Sequence, residues 1–179
     1  KASITVTVNA LPSKPSATTA VEYCYGATAT ALSATPSSGH TLVWYDTDGT
    51  TVLTSAPTPS TSSVGPTDYY VAQKSNTTDC VGPQETITVN VLSLPLAPST
   101  STSSVAYCQG ATATALSATV TSGSGNTLVW YSGTGASATL LSGAPTPSTS
   151  TQGVTDYSVA QKTFAGCEGP KTTITVEVV

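Results

Sequence analysis

The sequence predicts an all-β fold that is built from two copies of one β-sandwich. Apolar and polar residues alternate with a period of two, and no apolar stripe with the helical period of about 3.6 residues persists. Turn-forming residues interrupt this alternation about every ten residues, which is typical of sandwiches with short strands. The first half of the chain is also largely repeated in the second half, so the repeated unit has to be defined first.

Five phrases define the repeated unit, because each occurs in both halves and in the same order. They are Y-C-x-G-A-T-A-T-A-L-S-A, T-L-V-W-Y, A-P-T-P-S-T, T-D-Y-x-V-A-Q-K and C-x-G-P. Their spacing differs between the copies only in stretches rich in Gly, Ser and Asp, where loops are expected. The opening pattern K-x-x-I-T-V-x-V also recurs at 171–178. We therefore predict the last strand of a preceding repeat at 1–9, repeat 1 at 10–92 and repeat 2 at 93–179, as a section of a longer tandem array.

The strands of repeat 1 are predicted from the alternation within each phrase. In order, they are residues 27–35, the strand that carries Leu42 and Trp44, the strand that opens at Tyr69, and the strand of Ile87, Val89 and Val91. Pro95 and Pro98 are interpreted as a short, stiff connection between the two sandwiches. The predicted core residues are Leu32, Trp44 and Tyr69 in repeat 1 and Leu116, Trp130 and Tyr157 in repeat 2.

Two aromatic features refine the prediction to an immunoglobulin-like sandwich. A Trp in the middle of an early strand takes the place of the buried indole of such cores. Asp-Tyr-x-Val-Ala, at 68–72 and 156–160, has the pattern of a tyrosine corner. An antibody domain would carry its second disulfide cysteine two residues after that Tyr. Val71 and Val159 stand there instead, so the antibody-type disulfide is missing.

The composition excludes one class of partner and indicates the compartment. Only 8% of residues are charged and the net charge is −4, so no basic patch for nucleic acid can be assembled. No apolar run is long enough to span a bilayer and no signal peptide is recognisable, so any export or anchoring signal is expected outside these residues. Four cysteines, two at matching places in each repeat, indicate disulfides and an extracellular, cell-surface location.

Catalytic and metal sites can be tested by asking whether both repeats keep them. The only His, His40, is replaced by Asn126, so no Ser–His–acid set can be built in repeat 2. Asp46 and Asp48 begin like a calcium loop, but repeat 2 has no carboxylate there, and an Asp-Gly hairpin turn is the favoured interpretation. We predict no catalytic residue, no cofactor, and at most a weak metal site at Asp46 and Asp48.

The other polar and aromatic residues have ordinary structural interpretations. Asp68 is predicted to bond backbone at the turn into its strand, and Lys74 is predicted to be a solvated strand end. Tyr45 and Tyr70 are predicted to face outward from neighbouring strands, where two rings offer a platform for glycan contact. Repeat 2 has Ser158 at the second of these positions. A cross-strand aromatic pair that covers the sheet is therefore the favoured interpretation.

Taken together, the motifs resemble those of one known family. The set C-x-G-A-x-A-x-x-L-x-A, T-L-x-W-Y, A-P-T-P-S-T, T-x-Y-x-V, G-C-x-x-P and I-T-V-x-V is similar to the bacterial Ig-like repeat of Bacteroidetes surface proteins, especially of gliding-motility adhesins. The resemblance covers essentially the whole chain. It implies a long cell-surface filament that is exported by the type IX system and moved by the gliding machinery.

Two functions are therefore carried forward from the sequence. The first is that of non-catalytic spacer repeats in the stalk of a large secreted adhesin, with neighbouring repeats of the same chain as partners. The alternative is a carbohydrate-binding module, in an exported surface protein or a polysaccharide-degrading enzyme, with surface polysaccharide as partner. In that alternative, Tyr45 and Tyr70 would contact the glycan.

The cysteines allow two pairings. The default pairing lies within each repeat, as Cys24–Cys80 and Cys108–Cys167. In an immunoglobulin-like topology, however, the predicted strand after Cys24 and the strand before Cys80 run parallel, which places the two cysteines about 25 Å apart. A disulfide needs Cα atoms within about 7 Å. Repeat 1 exits at the Cys24 end, next to the entry of repeat 2 where Cys167 lies. We therefore favour Cys24–Cys167, with Cys80 and Cys108 pairing to neighbouring repeats.

Overall fold

The structure, a computed structural model, describes residues 2–179 and divides into two compact units. The first unit ends at Ser93 and the second spans Leu94–Val179. Within the described residues, regular structure consists of β-strands and one three-residue 3-10 turn at Gly135–Ser137. The predicted all-β class is confirmed.

Unit 1 contains seven strands among its described residues. They are β1 (Ser16–Ala17), β2 (Ala20–Cys24), β3 (Ala34–Thr35), β4 (His40–Tyr45), β5 (Val52–Leu53), β6 (Gly65–Ser75) and β7 (Glu85–Leu92). Five of them form one sheet in the order β2-β7-β6-β4-β5, and β1 pairs with β3 in a second layer. All pairs are antiparallel except β2 with β7, which is parallel.

Unit 2 repeats this arrangement with its own seven strands. They are β8 (Ser99–Thr100), β9 (Ser104–Tyr107), β10 (Ala118–Thr119), β11 (Thr127–Ser132), β12 (Thr139–Leu140), β13 (Gly153–Lys162) and β14 (Thr172–Val178). The main sheet has the order β9-β14-β13-β11-β12, and β8 pairs with β10. Again only the first strand of the main sheet is parallel to its neighbour.

The path of the first strand identifies the sandwich type. In each unit, the chain first pairs antiparallel in the small layer and then crosses to the main sheet, where it pairs parallel with the last strand. The remaining strands of the main sheet pair antiparallel. This is an immunoglobulin-like sandwich, as the sequence predicts.

The strand predicted at 27–35 is wrong over most of its length. Only Ala34 and Thr35 are in a strand. The segment that faces residues 27–33 is the A-P-T-P-S-T phrase, whose prolines have no N–H to donate to a ladder. Isolated bonds replace the ladder: the Leu32 N–H donates to the Pro57 carbonyl, and the Thr61 hydroxyl donates to the Ala27 carbonyl. Unit 2 repeats both bonds, from Leu116 to Pro145 and from Thr149 to Ala111.

Each unit has its own core between the two layers. The buried residues of the first core are Leu32, Trp44, Tyr69, Val71, Ile87 and Val89, and those of the second are Leu116, Trp130, Val159, Ile174 and Val176. Tyr157, which the sequence places in the core, is half-buried and packs against the second cluster. Trp130 is only 4% exposed. In β7, the buried Ile87 and Val89 alternate with half-buried polar residues, because neighbouring strand residues point to opposite faces.

Pro95 and Pro98, which the sequence indicates as a short, stiff connection, belong to unit 2. Both are buried, and the Pro98 carbonyl accepts a hydrogen bond from the Thr172 hydroxyl of β14. In unit 1, the equivalent Pro12 and Pro15 are also buried. The segment that leads into each unit is therefore part of that unit. We call residues 12–13 and 95–96 the entry segments.

Candidate functional site

The four cysteines differ in their bonding state. Cys24 and Cys167 are each disulfide-bonded, whereas Cys80 and Cys108 carry free thiols. The default pairing within each repeat is therefore absent, and the Cys24–Cys167 pairing stays a prediction.

The strand register of unit 1 explains why Cys24 and Cys80 do not pair. Cys24 ends β2 opposite Leu92, at the end of the sheet where Gly65 begins β6. Cys80 lies beyond the other end of β6, where its carbonyl accepts a hydrogen bond from the Ser75 N–H at 2.9 Å. Eleven residues of β6 separate these ends, which corresponds to about 30 Å and is far beyond disulfide reach. The separation is as predicted from the sequence, but Cys24 is the last residue of a strand and does not precede one.

Unit 2 places its cysteines in the same way. Cys108 follows β9 directly, at the end where Tyr107 lies opposite Val178. Cys167 lies beyond the other end of β13, and its carbonyl accepts a hydrogen bond from the Thr163 N–H at 2.9 Å. In each unit, one cysteine therefore marks the end where the chain leaves the unit. The other marks the end that holds the entry segment.

A buried glutamine fixes each entry segment. Gln73 and Gln161 are completely buried. The Gln161 amide nitrogen donates to the Leu96 carbonyl at 2.8 Å and to the Thr121 hydroxyl at 2.7 Å, while its oxygen accepts from the Thr121 N–H at 3.2 Å. In unit 1, the Gln73 amide nitrogen donates to the Ser13 carbonyl at 2.8 Å. The glutamine side chain, which belongs to the longest strand of its unit, therefore hydrogen-bonds to both the entry segment and a turn.

A glycine next to each glutamine leaves room for the entry segment. The Gly169 N–H donates to the Gln161 carbonyl at 2.9 Å, and the Gly82 N–H donates to the Gln73 carbonyl at 2.9 Å. A Cβ atom at Gly169 would overlap the Pro95 carbonyl, and one at Gly82 would overlap the Pro12 carbonyl. The glycine of the C-x-G-P phrase is thus required for close backbone approach.

These glutamines and glycines were not identified from the sequence. V-A-Q-K and C-x-G-P stand out there only as repeated phrases. The available signal was that Gln and Gly recur at the same places in both repeats, although Gln is rarely buried.

Tyr45 and Tyr70 lie directly opposite each other on β4 and β6, and both are half-buried. In unit 2, the equivalent pair is Tyr131 and Ser158. Ser158 is buried and donates to the Gly133 carbonyl at 2.8 Å. The paired rings are therefore a feature of unit 1 alone.

Tyr131 belongs to a polar cluster that unit 1 lacks. Its hydroxyl donates to the Glu168 carboxylate at 2.6 Å, and the Lys171 ammonium lies 3.5 Å from its ring centroid. Burial, followed by the hydrogen bond to Glu168 and the negative charge of that carboxylate, raises the pKa of Tyr131 to about 12. Unit 1 has Val81 at the position of Glu168, so the cluster is not a repeated site.

We expect the Tyr131 phenol to ionise only in strong alkali. Because its pKa is higher in the folded protein than the ordinary value of about 10, the folded state holds this proton more tightly. The stability that this group contributes is fully present below pH 10 and is lost as the pH rises toward 12. Tyrosinate absorbance of the wild type minus that of Tyr131→Phe should give a component that titrates near pH 12. Glu168→Gln should lower its midpoint, and a component that titrates near pH 10 would contradict the assignment.

Asp46 and Asp48 form a hairpin turn. The Gly49 N–H donates to the Asp46 carbonyl at 2.9 Å, and Gly49 has a positive φ of 68°. The Thr51 hydroxyl donates to one Asp48 carboxylate oxygen, and the N–H groups of Thr51 and Thr50 donate to the other. These bonds, the hydroxyl bond first, hold the pKa of Asp48 well below its usual range. Among residues 2–179 there is no group of three or more His, Cys, Asp or Glu side chains arranged to hold a metal.

The remaining polar residues have structural contacts. His40 begins β4 rather than lying in a loop, and its Nδ1 lies 2.9 Å from the Ser38 carbonyl. Asp68 lies within β6 and accepts from the Thr88 hydroxyl at 2.7 Å, so the predicted bond to backbone at a turn is wrong. A cross-strand partner satisfies this carboxylate instead. Lys74 forms an ion pair with Asp79 at 2.9 Å.

One groove recurs in both units, between the first strand of the main sheet and the segment before β3 or β10. Its lining in unit 1 includes Val21, Tyr23, Leu32 and Ile87, and in unit 2 Val105, Tyr107, Leu116 and Ile174. The remaining lining residues of both grooves are Ser, Thr and Ala. Neither groove is lined by a carboxylate, a His or a Lys, so neither presents an acid–base pair.

Comparison with known proteins agrees with the topology. Residues 12–92 match the domain family described as Ig-like domain CHU_C associated. No curated protein matches the chain. Among the described residues, no helix has the length and hydropathy that crossing a membrane requires.

Several solved structures show a distant likeness. The fibronectin(III)-like modules of Clostridium thermocellum CbhA are 14% identical, over 92% of this chain and 90% of theirs, with a TM-score of 0.47. Human mucin-like protocadherin EC1-2 is 11% identical, over 89% of this chain and 95% of its own, with a TM-score of 0.32. The Bacteroides ovatus protein SGBP-B, in complex with a mixed-linkage heptasaccharide, is 16% identical, over 91% of this chain and 43% of its own, with a TM-score of 0.29. These scores carry no argument about function.

Proposed function

We propose that this chain is a section of a tandem array of Ig-like repeats that serves as a non-catalytic spacer in the stalk of a large extracellular adhesin. The proposal rests on a comparison of the two units, which share structural features and differ in the candidate binding residues. Both keep the core Trp, the buried Gln, the close-approach Gly and a cysteine at each end. The paired tyrosines, His40 and the Tyr131 cluster occur once each. Selection on a spacer maintains the fold and the connections between units, and leaves the surface free to vary.

The opening residues support an array. Ile4, Val6 and Val8 are 89%, 79% and 91% exposed. The same I-T-V-x-V phrase forms β7 and β14, where its apolar side chains are buried. We propose that residues 1–9, of which Lys1 lies outside the described residues, supply the last strand of a preceding repeat. There, the alternating apolar residues would be covered.

The finer assignment rests on the resemblance of the motifs. They are most similar to the repeats of the gliding-motility adhesin SprB, and the Ig-like family match at 12–92 supports a surface repeat of this general kind. We propose export by the type IX system, location at the cell surface of a member of the Bacteroidetes, and movement by the gliding machinery. The disulfide suits this extracellular location, because cytoplasmic thiols are kept reduced.

A stretching experiment tests the spacer role. We propose that Cys24 and Cys167, which are both disulfide-bonded, are bonded to each other. When the chain is pulled from its two termini, this disulfide would carry the force past roughly 140 residues, so those residues could not extend. We expect the Cys24→Ser/Cys167→Ser double variant to release roughly 500 Å more contour length than the wild type, at no more than about 3.6 Å per residue. The Cys80→Ser/Cys108→Ser double variant is the matched control and should stretch like the wild type. Equal extension of all three proteins would contradict the proposal.

The alternative function is carbohydrate binding by the paired rings of Tyr45 and Tyr70. One observation favours it, namely that the two rings lie on adjacent strands and remain partly exposed. A glycan array probed with the whole chain distinguishes the two functions. Saturable binding that is lost in Tyr45→Ala and in Tyr70→Ala, but kept in Tyr131→Ala, would establish the alternative and refute a pure spacer. We expect no saturable binding.

A further inference from the structure

Cys80 and Cys108 have the same surroundings as the two cysteines that are disulfide-bonded. Cys108 occupies in unit 2 the place of Cys24 in unit 1: each carbonyl accepts a hydrogen bond, at 3.0 Å, from the N–H three residues later. Cys80 likewise occupies the place of Cys167, because each carbonyl accepts a hydrogen bond, at 2.9 Å, from the N–H two residues after the buried glutamine. Under the proposed Cys24–Cys167 pairing, the bond joins an exit-end cysteine to an entry-end cysteine.

The two thiols are free and reachable. Cys108 is exposed and Cys80 is partly exposed. They lie at opposite ends of their own units, one at the exit end of unit 2 and the other at the entry end of unit 1. One is therefore of the Cys24 type and the other of the Cys167 type, so the chain carries one unpaired member of each type.

We propose that Cys108 and Cys80 are complementary halves of an inter-repeat disulfide, so that copies of this chain join head to tail, Cys108 of one copy to Cys80 of the next. The proposal rests on the proposed array function. In the array, a neighbouring repeat would supply the partner cysteine that a second copy of this chain supplies in solution. Because the two ends differ, the contact is heterologous and does not stop at a dimer.

The chemistry needs an oxidant, and a low-molecular-weight disulfide such as oxidised glutathione supplies it. The Cys108 thiolate attacks this disulfide, forms a mixed disulfide and releases one reduced glutathione. The Cys80 thiolate of a second copy then attacks the protein sulfur of the mixed disulfide and releases a second glutathione. Each protein thiol loses one proton and is oxidised, and the glutathione disulfide is reduced to two thiols.

The test uses the whole chain in a glutathione redox buffer, followed by alkylation and non-reducing electrophoresis. We expect a ladder of oligomers that collapses on reduction. Cleavage at Lys74 and Glu85 separates the two cysteines into different peptides, and the expected product is a Cys80–Cys108 linked peptide. Cys80→Ser and Cys108→Ser should each remain monomeric, and a mixture of the two variants should give a dimer and nothing larger.

A fusion of two copies tests the same bond when the association of separate copies is too slow to observe. Joining residue 178 of one copy to residue 9 of a second preserves the I-T-V-x-V strand and places both cysteines in one chain, which raises their effective concentration. The fusion should form the Cys80–Cys108 bond between its copies. Dimers of either single variant alone, or free thiols in the oxidised fusion, would overturn the proposal. Neither result would alter the contour length that the wild-type chain releases in the stretching experiment. The two experiments therefore test the Cys80–Cys108 bond and the spacer function independently.

Discussion

Replacing Gln161 by Leu is expected to lower the free energy of unfolding of the second unit by about 3 kcal/mol. Leucine keeps the approximate volume but leaves the Leu96 carbonyl and the Thr121 N–H without this side-chain partner. Each buried polar group that loses its partner costs about 1–3 kcal/mol. Because Gln161 is completely buried, water cannot replace the amide without opening the unit.

Each unit has a single Trp, which allows the second unit to be measured alone. In a Trp44→Phe background, fluorescence during urea unfolding reports only on Trp130. Gln152→Leu in the same background is the matched control, because Gln152 is exposed; it should change the unfolding free energy by less than about 0.5 kcal/mol. Equal midpoints for Gln161→Leu and Gln152→Leu would show that the buried amide does not stabilise the fold.

Gly169→Ala is expected to destabilise the same unit by about 3 kcal/mol. The added methyl group would overlap the Pro95 carbonyl, which is rigid backbone, so the entry segment has to move away. Gly143→Ala is the control, because nothing lies within 4 Å of a Cβ atom at Gly143. The same fluorescence assay measures both variants, and similar effects at the two glycines would contradict the close-approach role.

The two substitutions should not be additive. Moving the entry segment breaks the hydrogen bond between Gln161 and Leu96, so Gly169→Ala already removes part of what Gln161→Leu removes. Residues that share a partner commonly show coupling of about 0.5–3 kcal/mol. We expect the double variant to lose clearly less stability than the sum of the single losses. Strict additivity would indicate that the glutamine and the glycine act on different parts of the unit.

Much of the sandwich could be predicted from alternation, because burial of one face is a local property of each strand. The strands of Trp44 and Ile87 follow from it directly. The segment 27–33 could not be predicted, since its state depends on the prolines of a distant facing segment. Pro95 could be recognised as a stiff residue, but its burial depends on contacts made after the chain folds. The alternation of apolar and polar residues identifies the apolar face of a strand. It gives no information about a buried polar residue such as Gln161, which hydrogen-bonds the entry segment.

The cysteines and Asp68 show the same contrast between features that the fold class determines and features that depend on contacts in the folded chain. The separation of Cys24 from Cys80 follows from strand direction, which the fold class determines, and so it could be predicted even with a strand misplaced. The contacts of Asp68 could not, because the choice between backbone and Thr88 as partner depends on cross-strand register.

If Cys24 and Cys167 pair with each other as proposed, their disulfide also changes what a protease can do to this protein. A cut at any peptide bond between these two residues opens the backbone but does not divide the molecule, because the two fragments stay joined through sulfur. The exposed Gly- and Ser-rich turns, such as residues 121–125, are where such cuts are expected to fall. At the proposed cell-surface location, among secreted hydrolases, one cut would therefore leave the molecule in one piece. Only damage outside this span, or a reductant combined with a cut, would separate its ends.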